Sequence, residues 1–195
     1  PPWFKARSLM AVWLAALLGV VQGLTELLPV SSSGHLRLMA SVFRVEKAQT
    51  LFDVCVHAGT LGAVLAVYRH DVFRMLAGFT RPSWHEPGFR LAMLVLVGTI
   101  PAAVIGIGLG HFFEASLATP KAVSGFLIIN GFILMLSRKA PTEGRSLEEL
   151  TLRDAIVVGC AQSVALFRGI SRSGSTIVTG LRLGVSREAA AAFSF

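Results

Sequence analysis

Charge is scarce in this chain. Lys, Arg, Asp and Glu make up 15 % of its 195 residues, against 53 % apolar, and the mean hydropathy is +0.67. So little charge excludes an ordinary soluble domain and is typical of a polytopic membrane protein. Cysteine is sparser still, with two residues. Cys55 and Cys160 both lie in apolar runs without metal-ligand spacing, which favours small buried side chains over a disulfide, redox pair or thiolate metal site. The net charge of +7 invites a nucleic-acid reading. The basic residues are scattered between apolar runs and form no soluble basic face, so nucleic acid is excluded and the charge reads as membrane-flanking.

What the chain does have is an internal echo. Shifting it by 140 residues sets Gly159 and Gln162 on Gly19 and Gln22, and Ser171, Ser173 and Gly174 on Ser31, Ser33 and Gly34, without a gap. Val185 and Arg187 fall on Val45 and Lys47 in the same register, a weaker extension. Lys5 and Arg7 ahead of an apolar run resemble a cleavable signal peptide, but that run carries half of the repeat and is read as part of the fold.

Residues 9–28 would measure roughly 30 Å as a straight helix, enough to cross a bilayer core. The run holds Gln22 and Glu26 and stops at Pro29. A glutamate facing lipid is costly, so 9–45 reads as a re-entrant helical hairpin whose tip is covered by protein. Spans follow at 51–68, 91–110 and 122–137. The loops 69–90 and 138–154 carry the arginines and are assigned to the cytoplasm, with 111–121 outside. Within the second loop, 147–154 reads as a solvated helix start. The second hairpin covers 155–187, and a further span opens at 189. Three crossings between the copies invert the second relative to the first, an arrangement shared with transporter folds. The expected class is an all-α polytopic membrane protein: an inverted-topology repeat, 1–137 and 155–195, with two re-entrant helical hairpins.

The copies differ where chemistry would sit. The first has Glu26 and His35 where the second has Leu166 and Ser175, and the second has Arg168 and Arg172 where the first has Leu28 and Ser32. If the tips meet, a phosphate clamp lies beside an acid/base pair, which suits phosphoryl hydrolysis. Arg172, with Ser171, Ser173 and Thr176, would hold phosphate. Gln22 and Glu26, four apart on one helical face, would bind a divalent cation or position water. His35 would transfer a proton. Ser31, Ser32 and Ser33 read as a cluster containing an N-cap, with Ser31 or Ser32 as nucleophile or phosphate donor and Ser33 as a further donor. Arg168 reads equally as ligand or snorkelling cation, and Asp53 with His57 reads first as structural. An alternative reading is a secondary transporter or lipid flippase for a phosphorylated substrate, which needs the cation and hydroxyls but has less use for Glu26 and His35 together.

With these residues in hand, the chain resembles the undecaprenyl-diphosphate phosphatase family, the bacitracin-resistance proteins of bacterial inner membranes. The likeness rests on residues 19–35 (GVVQGLTELLPVSSSGH), Gly98-Thr-Ile-Pro101-Ala-Ala, residues 169–176 (GISRSGST) and Gly184-Val-Ser-Arg187. It implies six spans plus two inverted re-entrant hairpins, and removal of the terminal phosphate of undecaprenyl diphosphate. It also implies dependence on a divalent cation (Mg²⁺ or Ca²⁺) and access from the periplasm, and leaves a homodimer open. The family's acidic motif falls on Gln22 and Glu26, its histidine on His35, its preceding serines on Ser31 and Ser32, and its arginine motif on Ser171, Arg172, Ser173 and Thr176. The family proline before Gly169 is Arg168 here. The resemblance further implies membrane segments beyond the position matched by Phe195.

Overall fold

The apolar runs of the sequence become helices whose outward faces stay apolar. In the computed structural model, residues 2–43, 49–117, 119–139 and 143–195 are described, with no named strand among them. The order is α1 (Pro2–Leu27), α2 (Ser32–Phe43), α3 (Gln49–Val67), α4 (Arg69–Gly78), α5 (Pro87–Leu117), α6 (Pro120–Met135), α7 (Leu152–Val164), α8 (Arg172–Arg182) and α9 (Arg187–Ser194). Two stretches, Pro87–Leu109 and Pro120–Arg138, are long and apolar enough to cross a membrane, and most of each is exposed. Trp13, Ile107 and Phe132 stand in the open on three different helices. Pro101 sits inside α5 without ending it.

Several expectations need correction. The loop drawn at 69–90 contains α4, which packs against α5. Its Arg69, His70 and Arg74 are exposed and Asp71 is half-buried, so polar residues had been taken for a loop where the chain is helical. The segment 111–121 is helical as far as Leu117, and α6 starts at Pro120 with Thr119 as its cap. Among the described residues the apolar stretches Val12–Leu27 and Phe52–Val67 are shorter than the other two. Cys55 and Cys160 are exposed rather than buried. The end of the first hairpin, with Val45 and Lys47, lies outside the described residues.

The densest packing joins α5 to α7. A Cβ on Gly159 would lie 2.3 Å from the Gly98 carbonyl oxygen, so the two backbones touch and Gly159 has no room for a side chain, while one on Gly98 would sit a tight 3.3 Å from the Ala155 carbonyl oxygen. Below this crossing, Leu94, Leu150, Ala155, Leu181, Val185 and Ala189 form the hydrophobic core.

That core is closed by Arg145. Its backbone pairs with Gly184 and Ser186, as Arg145 N donates to Gly184 O at 2.8 Å and Ser186 N donates to Arg145 O at 3.0 Å. Its guanidinium grips Asp154 with two bonds of 2.7 and 2.9 Å and donates to Leu183 O, a carbonyl at the end of α8. Asp154, only 4 % exposed, also receives Thr151 N–H and its hydroxyl. The segment 147–154 is therefore a short 3₁₀ turn, Leu147–Glu149, followed by the capped start of α7, where Glu148, Glu149 and Arg153 are exposed as expected but Asp154 is buried against Arg145.

The Arg145 hydrogen bonds pull the Asp154 carboxyl down from 3.8 to about 2. A depressed folded-state pKa adds stability above the unfolded value, and that stability is lost as pH falls through the folded one. Asp154→Asn is expected to cost about 2 kcal/mol at pH 7. In thermal or denaturant unfolding in detergent, the gap from wild type should close between about pH 4 and pH 2.

Candidate active site

The inward face of α1 carries Leu18, Gln22 and Glu26, spaced four apart and so stacked on one side of the helix. Leu18 and Gln22 are buried, and the Glu26 side chain is 20 % exposed. Val20, Leu24 and Leu27 on other faces are exposed. The chain then turns at Pro29, and Ser31 adopts φ 68°, a left-handed conformation uncommon for a residue with a Cβ. From there α2 begins at Ser32. The second copy follows the same plan: α7 ends, Gly169 takes φ 114°, and α8 begins at Arg172. Ser171 caps it, its hydroxyl accepting from Gly174 N at 3.0 Å. Most of the residues read as a phosphate loop are thus the first turn of a helix.

The two tips touch. A Cβ on Gly34 would sit 3.0 Å from the Gly169 Cα, and one on Gly174 would sit 3.0 Å from the Pro29 carbonyl oxygen. In the 140-residue register Gly34 corresponds to Gly174 and Pro29 to Gly169. The two contacts are one contact made twice with the partners exchanged, as a local two-fold relation requires. Asn130 of α6 lies across the junction. Its amide donates to Pro29 O at 3.2 Å, and its carbonyl accepts from Ser171 N at 2.9 Å.

Between the tips is a cavity of about 310 Å³. Glu26, Ser31, Ser32 and Ser33 wall one side, Ser171, Arg172 and Ser173 the other, with Thr25 and His57 completing it. Glu26 is the hub. One carboxylate oxygen accepts the Ser32 hydroxyl in a short hydrogen bond and the Gln22 amide at 3.1 Å. The other lies 3.7 Å from the Arg172 guanidinium. The Ser31 hydroxyl is buried without a partner, as is the Gln22 carbonyl oxygen. The cavity therefore offers two helix N-termini, a cation and free hydroxyl capacity to an anion, beside a carboxylate already bonded to a serine. A slightly larger cavity beside Arg74, Trp84 and Arg90 contains one carboxylate, Glu148, already paired with Arg74 at 2.8 Å. It holds no such set.

Four expected residues stand elsewhere. Gln22 is fully buried and does not line the cavity. His35 does not line the cavity, and its Nδ1 lies 2.9 Å from Ser31 O, against the turn that shapes the site. Thr176 donates or accepts at 2.5 Å with Ser194 and also bonds the Arg172 carbonyl. Arg168 is half-buried in the turn before α8 and is not on the cavity wall. Neither Ser31 nor Ser32 spends its hydroxyl on a cap. His57, read first as structural, forms part of the wall, with Nδ1 held 2.6 Å from Asp53 O. Asn130 went unread. Its signal was a lone amide in an apolar run, which costs energy unless paired.

Among the described residues no group of three or more His, Cys, Asp and Glu side chains could hold a metal. The donors on the cavity wall are oxygens, the Glu26 carboxylate and the serine hydroxyls, while the orphaned Gln22 carbonyl is fully buried one helical turn before Glu26 and does not line it. That set fits a hard divalent cation completed by phosphate oxygens and water.

The chain is similar over nearly its whole length to known proteins. The bacitracin resistance protein BacA family matches residues 15–195. An undecaprenyl-diphosphatase of Desulfatibacillum aliphaticivorans is 42 % identical over 94 % of this chain and 72 % of the relative. One of Thermomicrobium roseum is 44 % identical over 95 % and 71 %. One of Rubrobacter xylanophilus is 43 % identical over 93 % and 69 %.

The junction supplies a paired test. Gly169 and Gly184 both have positive φ, but only at Gly169 would a Cβ also meet neighbours, the Val123 carbonyl oxygen at 2.7 Å and Phe126 Cβ at 2.8 Å. Gly184→Ala is expected to lose about 1 kcal/mol in thermal unfolding. Gly169→Ala should lose about 3 kcal/mol or more, with activity falling alongside.

Proposed function

The chain belongs to the bacitracin resistance protein BacA family, and we propose that it is an integral-membrane undecaprenyl-diphosphatase. It removes the terminal phosphate of undecaprenyl diphosphate and leaves undecaprenyl phosphate for reuse as a cell-wall carrier. The observation that carries this reading is the Ser32–Glu26–Arg172 contact across the tip junction. It supports a reading in which nucleophile, base and phosphate-binding cation share one cavity. A carrier of phosphorylated lipid needs Arg172 but has little use for a hydroxyl hydrogen-bonded to a carboxylate.

The diphosphate enters between the N-termini of α2 and α8. Arg172, the Ser171 and Ser173 hydroxyls and the unpartnered Ser31 hydroxyl take its terminal oxygens. Glu26 accepts the Ser32 proton as the Ser32 oxygen attacks the terminal phosphorus, and the bond to the bridging oxygen breaks. The leaving group is a phosphate monoester, stable as an anion, so it needs little protonation as it departs. That suits the position of His35, which holds the Ser31 carbonyl and with it the turn. Glu26 gives the Ser32 proton up to solvent as the monoester departs; it then deprotonates a water that attacks the phosphoseryl phosphorus, and returns that proton to the Ser32 oxygen as inorganic phosphate leaves. Gln22 and Glu26 would hold the divalent cation, which supplies charge neutralisation on the diphosphate when bound.

The lipid substrate explains why such a site belongs in a membrane protein. An apolar groove of about 290 Å³, walled by Leu61, Val64, Val95 and Phe193, also reaches Arg172 and gives the prenyl chain a path from the cavity. The exposed apolar helices support a multi-pass protein of the bacterial inner membrane. The exchanged contacts at the tips support two re-entrant hairpins related by an inverted repeat; by the family resemblance alone, the cavity opens to the periplasmic side.

Phosphate release from a long-chain polyprenyl diphosphate in detergent tests the reading. Glu26→Gln, Ser32→Ala and Arg172→Ala should each lower kcat by about 10²–10³-fold or more. Chelation of divalent cations should abolish turnover, and adding Mg²⁺ or Ca²⁺ should restore it. Normal turnover in any of the three variants removes that residue from the mechanism.

A further inference from the structure

Asn130 is the only amide side chain in α6 and is 2 % exposed. Burying an unpaired carboxamide costs on the order of 1–3 kcal/mol, so its retention in an apolar helix calls for partners. It has two, and both are backbone atoms left over by the helices. The Pro29 carbonyl lies past the end of α1, and the Ser171 N–H belongs to the cap residue of α8. One partner lies three residues from Glu26 and Ser32, the other is next to Arg172. The two halves of the cavity are thus tied to a single planar group on a third element.

We propose that Asn130 is a positioning residue for phosphoryl transfer, setting the separation between the Glu26–Ser32 half and the Ser171–Ser173 half. This rests on the phosphatase reading. Asn130 touches neither nucleophile nor cation and is absent from the cavity wall. Its influence runs through the two turns. Loss of the amide leaves one donor and one acceptor unpaired at the junction and lets the tips drift. A displacement of about 1 Å between nucleophile and phosphorus is enough to cost on the order of 10²-fold in rate.

The test uses the whole protein in detergent, with undecaprenyl diphosphate as substrate, and the variants Asn130→Ala and Asn130→Asp. Asn130→Ala should lower kcat about 10–100-fold with KM changed less than about threefold, while thermal unfolding shows the protein still folded. A protonated aspartic acid can accept from Ser171 N and donate to Pro29 O, whereas its carboxylate can only accept. The kcat of Asn130→Asp relative to wild type should therefore be highest at acid pH and fall as pH rises. Hydrogen exchange supplies a readout independent of turnover. The Ser171 amide should exchange about tenfold faster in Asn130→Ala, the equivalent of one lost hydrogen bond, with the α6 amides unchanged. An Asn130→Ala kcat within about threefold of wild type overturns the proposal, as does equal impairment of both variants at every pH. Unchanged exchange at Ser171 overturns it whatever the enzyme does. A wild type that releases no phosphate overturns the phosphatase reading instead, and with it the positioning role.

Discussion

Two helix N-termini, those of α2 and α8, face one cavity, and the second also brings Arg172. Their positive ends repel, and one carboxylate answers all of them. Glu26 accepts the first serine of α2 and lies against the first arginine of α8. The same opposition that makes the pair costly without an anion makes the space between them a place for phosphate. Glu26 is thus the internal counter-ion of the junction, and the base in the proposed mechanism.

Bringing two chain turns this close requires an absence of side chains and a surplus of hydrogen bonds. Gly34, Gly169 and Gly174 leave space where a Cβ would meet backbone or a neighbouring side chain. Ser171 caps its own helix, Asn130 occupies the backbone groups left over at the turns, and His35 braces the Ser31 carbonyl. Farther away, Gly98 and Gly159 let α5 and α7 meet backbone to backbone. Arg145 locks the start of α7 to the end of α8. The site is stiff because its supports are short and numerous, a precondition for electrostatic stabilisation to act at one point in space.

Much of this was legible in the sequence. The 140-residue echo located both turns, and the exchange of Glu26 for Leu166 and of Arg172 for Ser32 separated an acidic half from a cationic one. The errors share a cause. Where a polar residue makes its bonds to distant backbone, as Asn130 does, or back to a local carbonyl, as His35 and Thr176 do, spacing along the chain says nothing about the partner. The 69–90 segment was misread because charge was taken as loop where the chain forms α4. The expectation of a capping serine failed because Ser31, the residue ahead of α2, takes a left-handed conformation with its hydroxyl unpartnered, while Ser32 gives its hydroxyl to Glu26.

By itself, the sequence determined the helical, apolar character of the chain, the positions of its two turns, and the inventory of a phosphate site. Composition, periodicity and local spacing are properties of neighbours along a chain. Only the tertiary structure decided which hydroxyl is bonded and which is free, that His35 shapes the site from outside while His57 forms part of its wall, and that Asn130 spans the junction. Those outcomes depend on competition among hydrogen-bond partners that become neighbours only when the two turns are pressed together.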